Sequence, residues 1–339
     1  MWHRVSFSII SEYHIRELRK YFKVYEIDER AFPQIIPYCK PITLVHPYFY
    51  PVQKYGSRFE RIRTRFKALI GVDVADSDHI TNLAVSMTNY ADGIIVPSNY
   101  ARDAYVRSGV TVPVYVVPHG VSEVYFKEEK NRKHFKELWN LKESRNLKYL
   151  LFFLWHSSYR KGADLVLKTY KEIRKKRRDV VLITKTMTPT GEYQEVVKKV
   201  GGIIVHGWLK EEQLISLYDL CDICLLFSRG GGFECVGLEA LARGEVVVAP
   251  DKGSWTDYLP DFCLVESHNC PFVFVDNPIH DGKGVEIDVK KAVKRILTII
   301  DDLDYYKKRV RDYVDSRVRK EFTWEAVGKR LVSIIKKYV

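Results

Sequence analysis

Apolar residues fall in short runs split by polar, glycine or proline breaks, with longer amphipathic stretches between them. Residues 5–10 and 22–27 alternate with period two and predict strands, with Ser11 capping an amphipathic helix to about residue 21. Further strands are predicted at 42–45, 68–72, 94–96 and 114–117, each leading towards a helical stretch. Residues 122–146 are charged and lack a core face, which suits a linker. A fully apolar strand at 147–154 opens a second series, with strands at 180–184, 203–205, 223–227 and 246–248. Residues 261–280 read as irregular, and helices are predicted at 287–303, 304–320 and from 322 onward. Strands alternating with helices predict parallel α/β sheets.

At 339 residues the chain can fill two such domains, and 46% hydrophobic content excludes disorder. No apolar run approaches the roughly 20 residues of a spanning helix, and a charge follows three residues after the start without a cleavage pattern. A cytoplasmic protein is expected. Six cysteines have no framework spacing, and Cys221 and Cys224 lack a second pair or nearby histidines, so buried thiols rather than zinc are expected. The net charge of +12 favours anionic partners, although no nucleic-acid motif appears. Part of that charge lies on a predicted helix at 57–67, with Arg58, Arg61 and Arg65 on one outer stripe flanked by Arg63 and Lys67. The stripe reads either as a solvated face or as a contact to an anionic membrane surface.

The most informative stretch is 227–258. A strand runs into Gly230, Gly231 and Gly232, and a helix with Val236, Leu238 and Leu241 follows and closes at Gly244 before the next strand. A glycine turn opening a helix leaves free N–H groups in positive potential, which suits a diphosphate. Gly232-Phe233, Leu238-Glu239-Ala240-Leu241-Ala242, Gly244 and Gly253 resemble the donor-site signature of the family 4 glycosyltransferases, retaining enzymes of the GT-B fold. Residues 114–121 resemble that family's exit from its first domain, and Arg160-Lys161-Gly162 resembles its diphosphate-binding segment.

The resemblance implies two facing Rossmann-like parallel-sheet domains with a cleft between them. They would be an acceptor-side domain at 1–121 and, after a linker at 122–146, a nucleotide-sugar domain at 147–320. A helix at 321–339, anchored by Trp324, would return to the first domain. It implies a retaining, metal-independent hexosyltransferase with no cofactor. That enzyme would move a sugar from a UDP- or GDP-sugar to a glycan or lipid-linked glycan. Glu239 would hold the ribose, and Lys161 and Arg160 the diphosphate, with Arg229 a second candidate. Gly231, Gly232, Cys235 and Val236 would line the donor, with Phe233, His119, Gly120, His206 and Trp208 around it. Asp76 would act at the reacting centre, and Ser11, Asp73, Asp78 and His79 would face the acceptor.

Two departures stand out. Gly231 occupies the place of the family's first glutamate, and Glu234 comes three residues later. If both Glu234 and Glu239 were helical, five steps of about 100° would put them roughly 140° apart, so Glu234 must lie in the turn to reach the sugar. It is either a substitute for the lost carboxylate or a first-turn acid facing the helix dipole. Trp155 stands where the family has a phosphate arginine. Asp76-Ser77-Asp78 is formally the metal motif of the other glycosyltransferase fold, but nothing else accompanies it. A nucleotide-sugar epimerase or phosphorylase of the same fold, a transferase that binds donor without turnover, and a basic binding protein remain the alternatives.

Overall fold

The computed structural model describes residues 6–28, 30–31, 34, 39–127, 139 and 147–339. Helix α1 (Ser6–Leu18) precedes a sheet of four parallel strands in sequential order. These are β1 (Ile42–Val45), β2 (Ala68–Val72), β3 (Gly93–Val96) and β4 (Val114–Val116). Helices α2 (Phe49–Tyr55), α3 (Ser57–Arg63), α4 (Asn82–Thr88) and α5 (Asn99–Arg107) connect them. Sequential parallel strands joined by right-handed crossovers put every connecting helix on one face. Leu69, Ile94 and Val96 pack with those helices, whereas Ile70, Val72 and Ile95 point to the other face. That second face needs its own cover.

α1 provides half of it, which corrects the expectation of strands at 5–10 and 22–27. From Ser6 the chain is helical, and Ile10, His14, Glu17 and Leu18 are buried along one side. A period near 3.6 prevails over the short alternation because it lays this stripe on the bare face of the sheet. Ser11 is consequently mid-helix, not a cap, and residues 22–27 pair with no strand.

The second sheet contains β5 (Lys148–Leu154), β6 (Val180–Thr186), β7 (Ile203–His206), β8 (Ile223–Leu225), β9 (Val246–Pro250) and β10 (Leu264–Val265). Its spatial order, β10-β9-β8-β5-β6-β7, is the doubly wound Rossmann order. Helices α6 (Ala163–Lys176), α7 (Glu192–Lys199), α8 (Glu211–Leu220) and α9 (Cys235–Ala242) connect its strands. The strand order reverses between β5 and β8, so the loops after these two strands frame the crevice where such sheets bind ligands. The first is 155–162 and the second is 226–234.

After β10, a hairpin of β11 (Ser267–Cys270) and β12 (Gly284–Ile287) carries an arm, 271–283. Helices α10 (Val289–Asp301) and α11 (Leu303–Tyr313) follow, and a π-helical turn at Val314–Val318 leads towards α12 (Trp324–Ile335). Of the expected linker, Glu123–Phe126 forms a 3-10 turn with Tyr125 and Phe126 buried. Arg243 fastens it to α9 by donating to the carbonyls of Tyr125 (3.1 Å) and Lys127 (2.6 Å), and it also pairs with buried Asp219 (2.6 Å). The remainder of the linker region, apart from Trp139, lies outside the described residues.

α12 completes the cover of the first sheet. Trp324, Val327, Leu331 and Val332 pack with Ile10, Leu18, Ile70 and Val72. Trp324 lies parallel to Tyr13, with ring centroids 4.3 Å apart. The exit from β4 runs against its backbone: a Cβ on Gly120 would lie 2.8 Å from the Trp324 nitrogen and 2.9 Å from its Cα. Trp324→Ala should therefore cost about 3–5 kcal/mol, as large-to-small core changes do. Chemical denaturation should show this loss, and hydrogen exchange should show α1 and α12 losing protection together.

Candidate active site

Four of the expected residues meet at the reversal point of the second sheet. Glu234 immediately precedes α9 in a left-handed conformation (φ 67°, ψ 69°), which a non-glycine residue adopts only under constraint. Lying outside the helix, its side chain is freed from the helical face that would turn it away from Glu239. It points instead to the loop after β5, where Lys161 Nζ donates to both carboxylate oxygens, at 2.6 and 2.5 Å. The Ser228 hydroxyl donates to one of them at 3.0 Å, and Arg160 Nη1 is 3.7 Å away.

The glycines explain how the turn approaches. A Cβ on Gly231 would come within 2.4 Å of Glu234 Oε1, so the carboxylate fills space beside the position where the expected glutamate is absent. Gly230 and Gly232 allow a close approach of another kind. A Cβ on Gly230 would meet the Asp76 carbonyl oxygen at 2.0 Å, and one on Gly232 the Val74 Cβ at 2.6 Å. They permit close contact with the loop after β2. There the Gly232 N–H donates to Asp76 Oδ1 (2.8 Å) and the Ser98 hydroxyl donates to the Gly232 carbonyl (2.8 Å).

Asp76 also lies 3.6 Å from Arg160 Nη1. Burial opposes its ionisation, but Arg160, His280 and Lys161 prevail and hold its carboxyl below the usual range. Arg160 Nη1 donates to the Gly230 carbonyl (3.2 Å), while its buried Nε has no partner and keeps an unused donor. Glu239, half-buried one turn into α9, accepts from the Tyr218 hydroxyl at 2.7 Å. Burial raises its pKa to about 7. Lys161, Arg160 with its spare donor, and the carboxylates of Glu234 and Asp76 thus border one crevice, with Glu239 one turn further along α9, an arrangement suited to anion binding with separation of charge.

Residues 148–276 match the model of the family described as glycosyl transferases group 1. The chain is 36% identical over 347 residues to "Uncharacterized protein 356" of Sulfolobus islandicus rod-shaped virus 1, covering 99% of this chain and 96% of that protein. It is 26% identical over 248 residues to "Putative glycosyltransferase 45" of a Sulfolobus islandicus filamentous virus, covering 70% of this chain and 65% of that relative. Residues 148–276 are therefore those of the glycosyl transferases group 1 family. The fold of the chain is similar to that of Anabaena Alr3699/HepE, a structure in complex with UDP and glucose, with a TM-score of 0.65 at 15% identity over 87% of this chain and 78% of that one. The architecture is GT-B, with two Rossmann-like domains.

Other expected contacts are engaged elsewhere. Arg229 is buried and donates to Asp164 (2.7 and 2.9 Å), Glu286 (2.8 Å) and the Tyr159 carbonyl (2.7 Å), so it fastens β12 to the second sheet instead of awaiting a phosphate. Phe233 is a buried plug between His119 and Tyr258, 5.0 Å from each ring. Gly120 abuts Trp324. Cys235 and Val236 open α9 and are half-buried. His206 and Trp208 are exposed, and Trp208 meets Trp155 edge-on at 5.7 Å. An open groove of about 640 Å³ runs along residues 154–159, but its other walls are α6 and α7, not the glycine turn.

On the first domain, Asp73 turns inward. It accepts the N–H groups of Tyr48 (2.8 Å), Phe49 (2.9 Å) and Val74 (2.8 Å), anchoring the start of α2, and burial raises its pKa to about 6 despite those bonds. Asp78 and His79 are held by the hairpin arm: Asp78 Oδ1 accepts the Lys283 N–H at 2.7 Å, and His79 Nδ1 meets Asp281 at 2.7 Å. Ser11 bonds the Phe7 carbonyl and His46, both at 2.8 Å. Helix α3 ends at Arg63, so Arg65 lies beyond it. Arg63 pairs with Asp92, and Lys67 donates to the carbonyl oxygen of Val339, leaving Arg58 and Arg61 as the exposed part of the basic stripe.

The arm is what the sequence reading missed. Thr81 donates to the carbonyls of Ile279 and Pro278, Gly282 donates to the Ser77 hydroxyl, and Phe274 lies 5.5 Å from the Arg160 guanidinium. Asp276-Asn277-Pro278 marks a turn, but no periodicity announces the docking. Asp73→Ala should lower stability by about 1–2 kcal/mol through loss of the α2 anchor. Thermal melting should register that loss, and nucleotide affinity measured below the melt should be unchanged.

Proposed function

We propose that the protein is a retaining, metal-independent hexosyltransferase that moves a sugar from a UDP- or GDP-sugar to a hydroxyl of a glycan or lipid-linked glycan. The observation carrying this reading is the Glu234 carboxylate, brought beside Gly231 and held by Lys161 at the reversal point of the second sheet. In this reading residues 147–320 hold the donor, while 1–121 and 321–339 form the acceptor side.

The bond from the anomeric carbon to the diphosphate oxygen breaks, and a bond to the acceptor oxygen forms on the same face. The proton of the acceptor hydroxyl passes to the leaving phosphate, so no separate base is needed. Negative charge grows on the diphosphate while the sugar becomes oxocarbenium-like. Fixed positive charge at Lys161 and Arg160 stabilises the former, and Glu234 the latter. Lys161 passes from Glu234, and Arg160 from Asp76, to the donor's phosphates when it binds, while Asp76 keeps the Gly232 N–H. Glu239 accepts from the ribose hydroxyls. Peripheral docking on an anionic membrane surface through Arg58 and Arg61 accompanies a lipid-linked acceptor.

Glu234→Gln should reduce turnover about a hundredfold or more without weakening the binding of UDP or GDP. Survival of the transfer rate would reduce Glu234 to a dipole-facing acid. Binding without turnover in the unmodified protein would favour a donor-binding protein over an enzyme.

The raised pKa of Glu239 gives a pH test. Accepting ribose hydroxyls requires the carboxylate, so binding must expel a proton below pH 7. Nucleotide affinity should rise about tenfold per pH unit up to roughly pH 7 and then level off. Calorimetry across pH 5.5–8.5 measures this, and the part owed to Glu239 should vanish in Glu239→Gln.

A further inference from the structure

Three histidines gather where the first sheet faces the glycine turn. His46 follows β1 and His119 follows β4, so both stand at the carboxyl edge of parallel strands, the edge at which α/β sheets bind ligands. His14 reaches them from α1, with its ring 5.8 Å from that of His46 and 5.9 Å from Trp324. His119 lies 5.0 Å from Phe233 of the glycine turn, so the group borders the crevice that holds Glu234. His14 and His119 are 5% and 6% exposed, and among the described residues His14 Nε2 and His119 Nδ1 are buried without a hydrogen-bond partner. Buried polar atoms are rarely left unpaired, and such orphans call for a ligand or an ordered water.

The tautomer of His46 follows from its neighbour. Ser11 has one hydroxyl proton, and it donates that proton to the Phe7 carbonyl at 2.8 Å. Its oxygen must then accept from His46, also at 2.8 Å, so His46 carries its proton on Nδ1. Nε2 is left with a lone pair. Burial keeps all three imidazoles neutral, and their mutual proximity acts in the same direction on His46 and His119. Among the described residues, none of the cluster's hydrogen-bond or ring partners is charged. Neutral imidazoles offer both donors and acceptors, which match a hydroxyl, and they supply no charge to a phosphate.

We propose that His14, His46 and His119, with Ser11 fixing the His46 tautomer, form the subsite for the acceptor's hydroxyl groups, and that it selects an uncharged sugar or polyol over a phosphate-bearing one. This rests on the transferase reading above and adds the acceptor's class. His46 is the positioning residue, because its Nε2 accepts from the hydroxyl that will be glycosylated.

The test is nitrogen NMR of the full chain labelled at histidine, titrated with methyl α-D-glucopyranoside or with inorganic phosphate. The expected result is a His46 signal of the Nδ1–H tautomer. The glucoside should shift the His14, His46 and His119 signals saturably at millimolar concentration, and phosphate should leave them in place. Ser11→Ala, which keeps the packing, should release the tautomer and weaken glucoside binding about tenfold, whereas Glu234→Ala should leave it intact. A Nε2–H tautomer, shifts caused by phosphate, or glucoside-insensitive rings, as expected of a cluster that holds only buried water, would overturn the proposal. Transfer activity unchanged in Ser11→Ala and His46→Phe would also remove the subsite while leaving the transferase reading standing. Glucoside binding without transfer from any nucleotide sugar would do the reverse.

Discussion

The hydrogen bond from the Gly232 N–H to Asp76 joins the carboxyl edges of the two sheets, and the rest of the crevice is arranged around that approach. The backbones come so close that a side chain on Gly230 or Gly232 would strike Asp76 or Val74. With the turn pinned there, Glu234 occupies a left-handed position before α9 and meets Lys161, while Phe233 is driven between His119 and Tyr258. Strain at Glu234 and the loss of three side chains are costs that fold stability alone gives no reason to accept. They are understandable as the cost of bringing a carboxylate, two cations and the first sheet's carboxyl edge into one place.

Electrostatics in the crevice is largely self-contained. Asp76 satisfies an amide and lies beside Arg160, and Glu234 neutralises Lys161. Buried charges without partners would be prohibitively costly, and each cation of the crevice is matched by an internal counter-anion. The histidines solve the same problem by remaining neutral. One side of the cleft is therefore rich in paired charge and the other is uncharged and polar, a division that matches a charged donor and an uncharged acceptor.

Much of this was legible in the sequence, for identifiable reasons. β5, β6, β8 and β9 read correctly because strands buried on both faces are continuous apolar runs bounded by glycine or charge. The requirement that Glu234 lie outside the helix also followed from spacing alone, and its φ of 67° meets it. Residues 5–10 misled because six residues cannot separate a period of two from one of 3.6 when the deciding partner, α12, lies three hundred residues away. Asp73, Asp78, His79 and Arg229 were recognisable as polar residues near a cleft. Which of them faced inward depended on Tyr48, Lys283, Asp281 and Asp164, partners that spacing cannot place. The same holds for His14 and His46, unremarkable in sequence until α1 folds over the sheet edge.

The hairpin arm changes how the cleft must operate. Backbone and side-chain bonds tie residues 276–283 to 76–81, with Ile279 packed on the first core. At a net of about 1 kcal/mol each, such bonds together favour the closed arrangement by several kcal/mol. Phe274 and His280 of the same arm flank Arg160 and Asp76, so the clasp and the charged half of the crevice share one wall. A ligand shifts such an equilibrium only by its differential affinity for the two arrangements. A hinge that opened at the arm would break these bonds and expose Arg160 and Asp76 together. The same opening would part the Ser98–Gly232 and Asn99–Asp257 bonds, so the arm and the edge of the crevice resist it together.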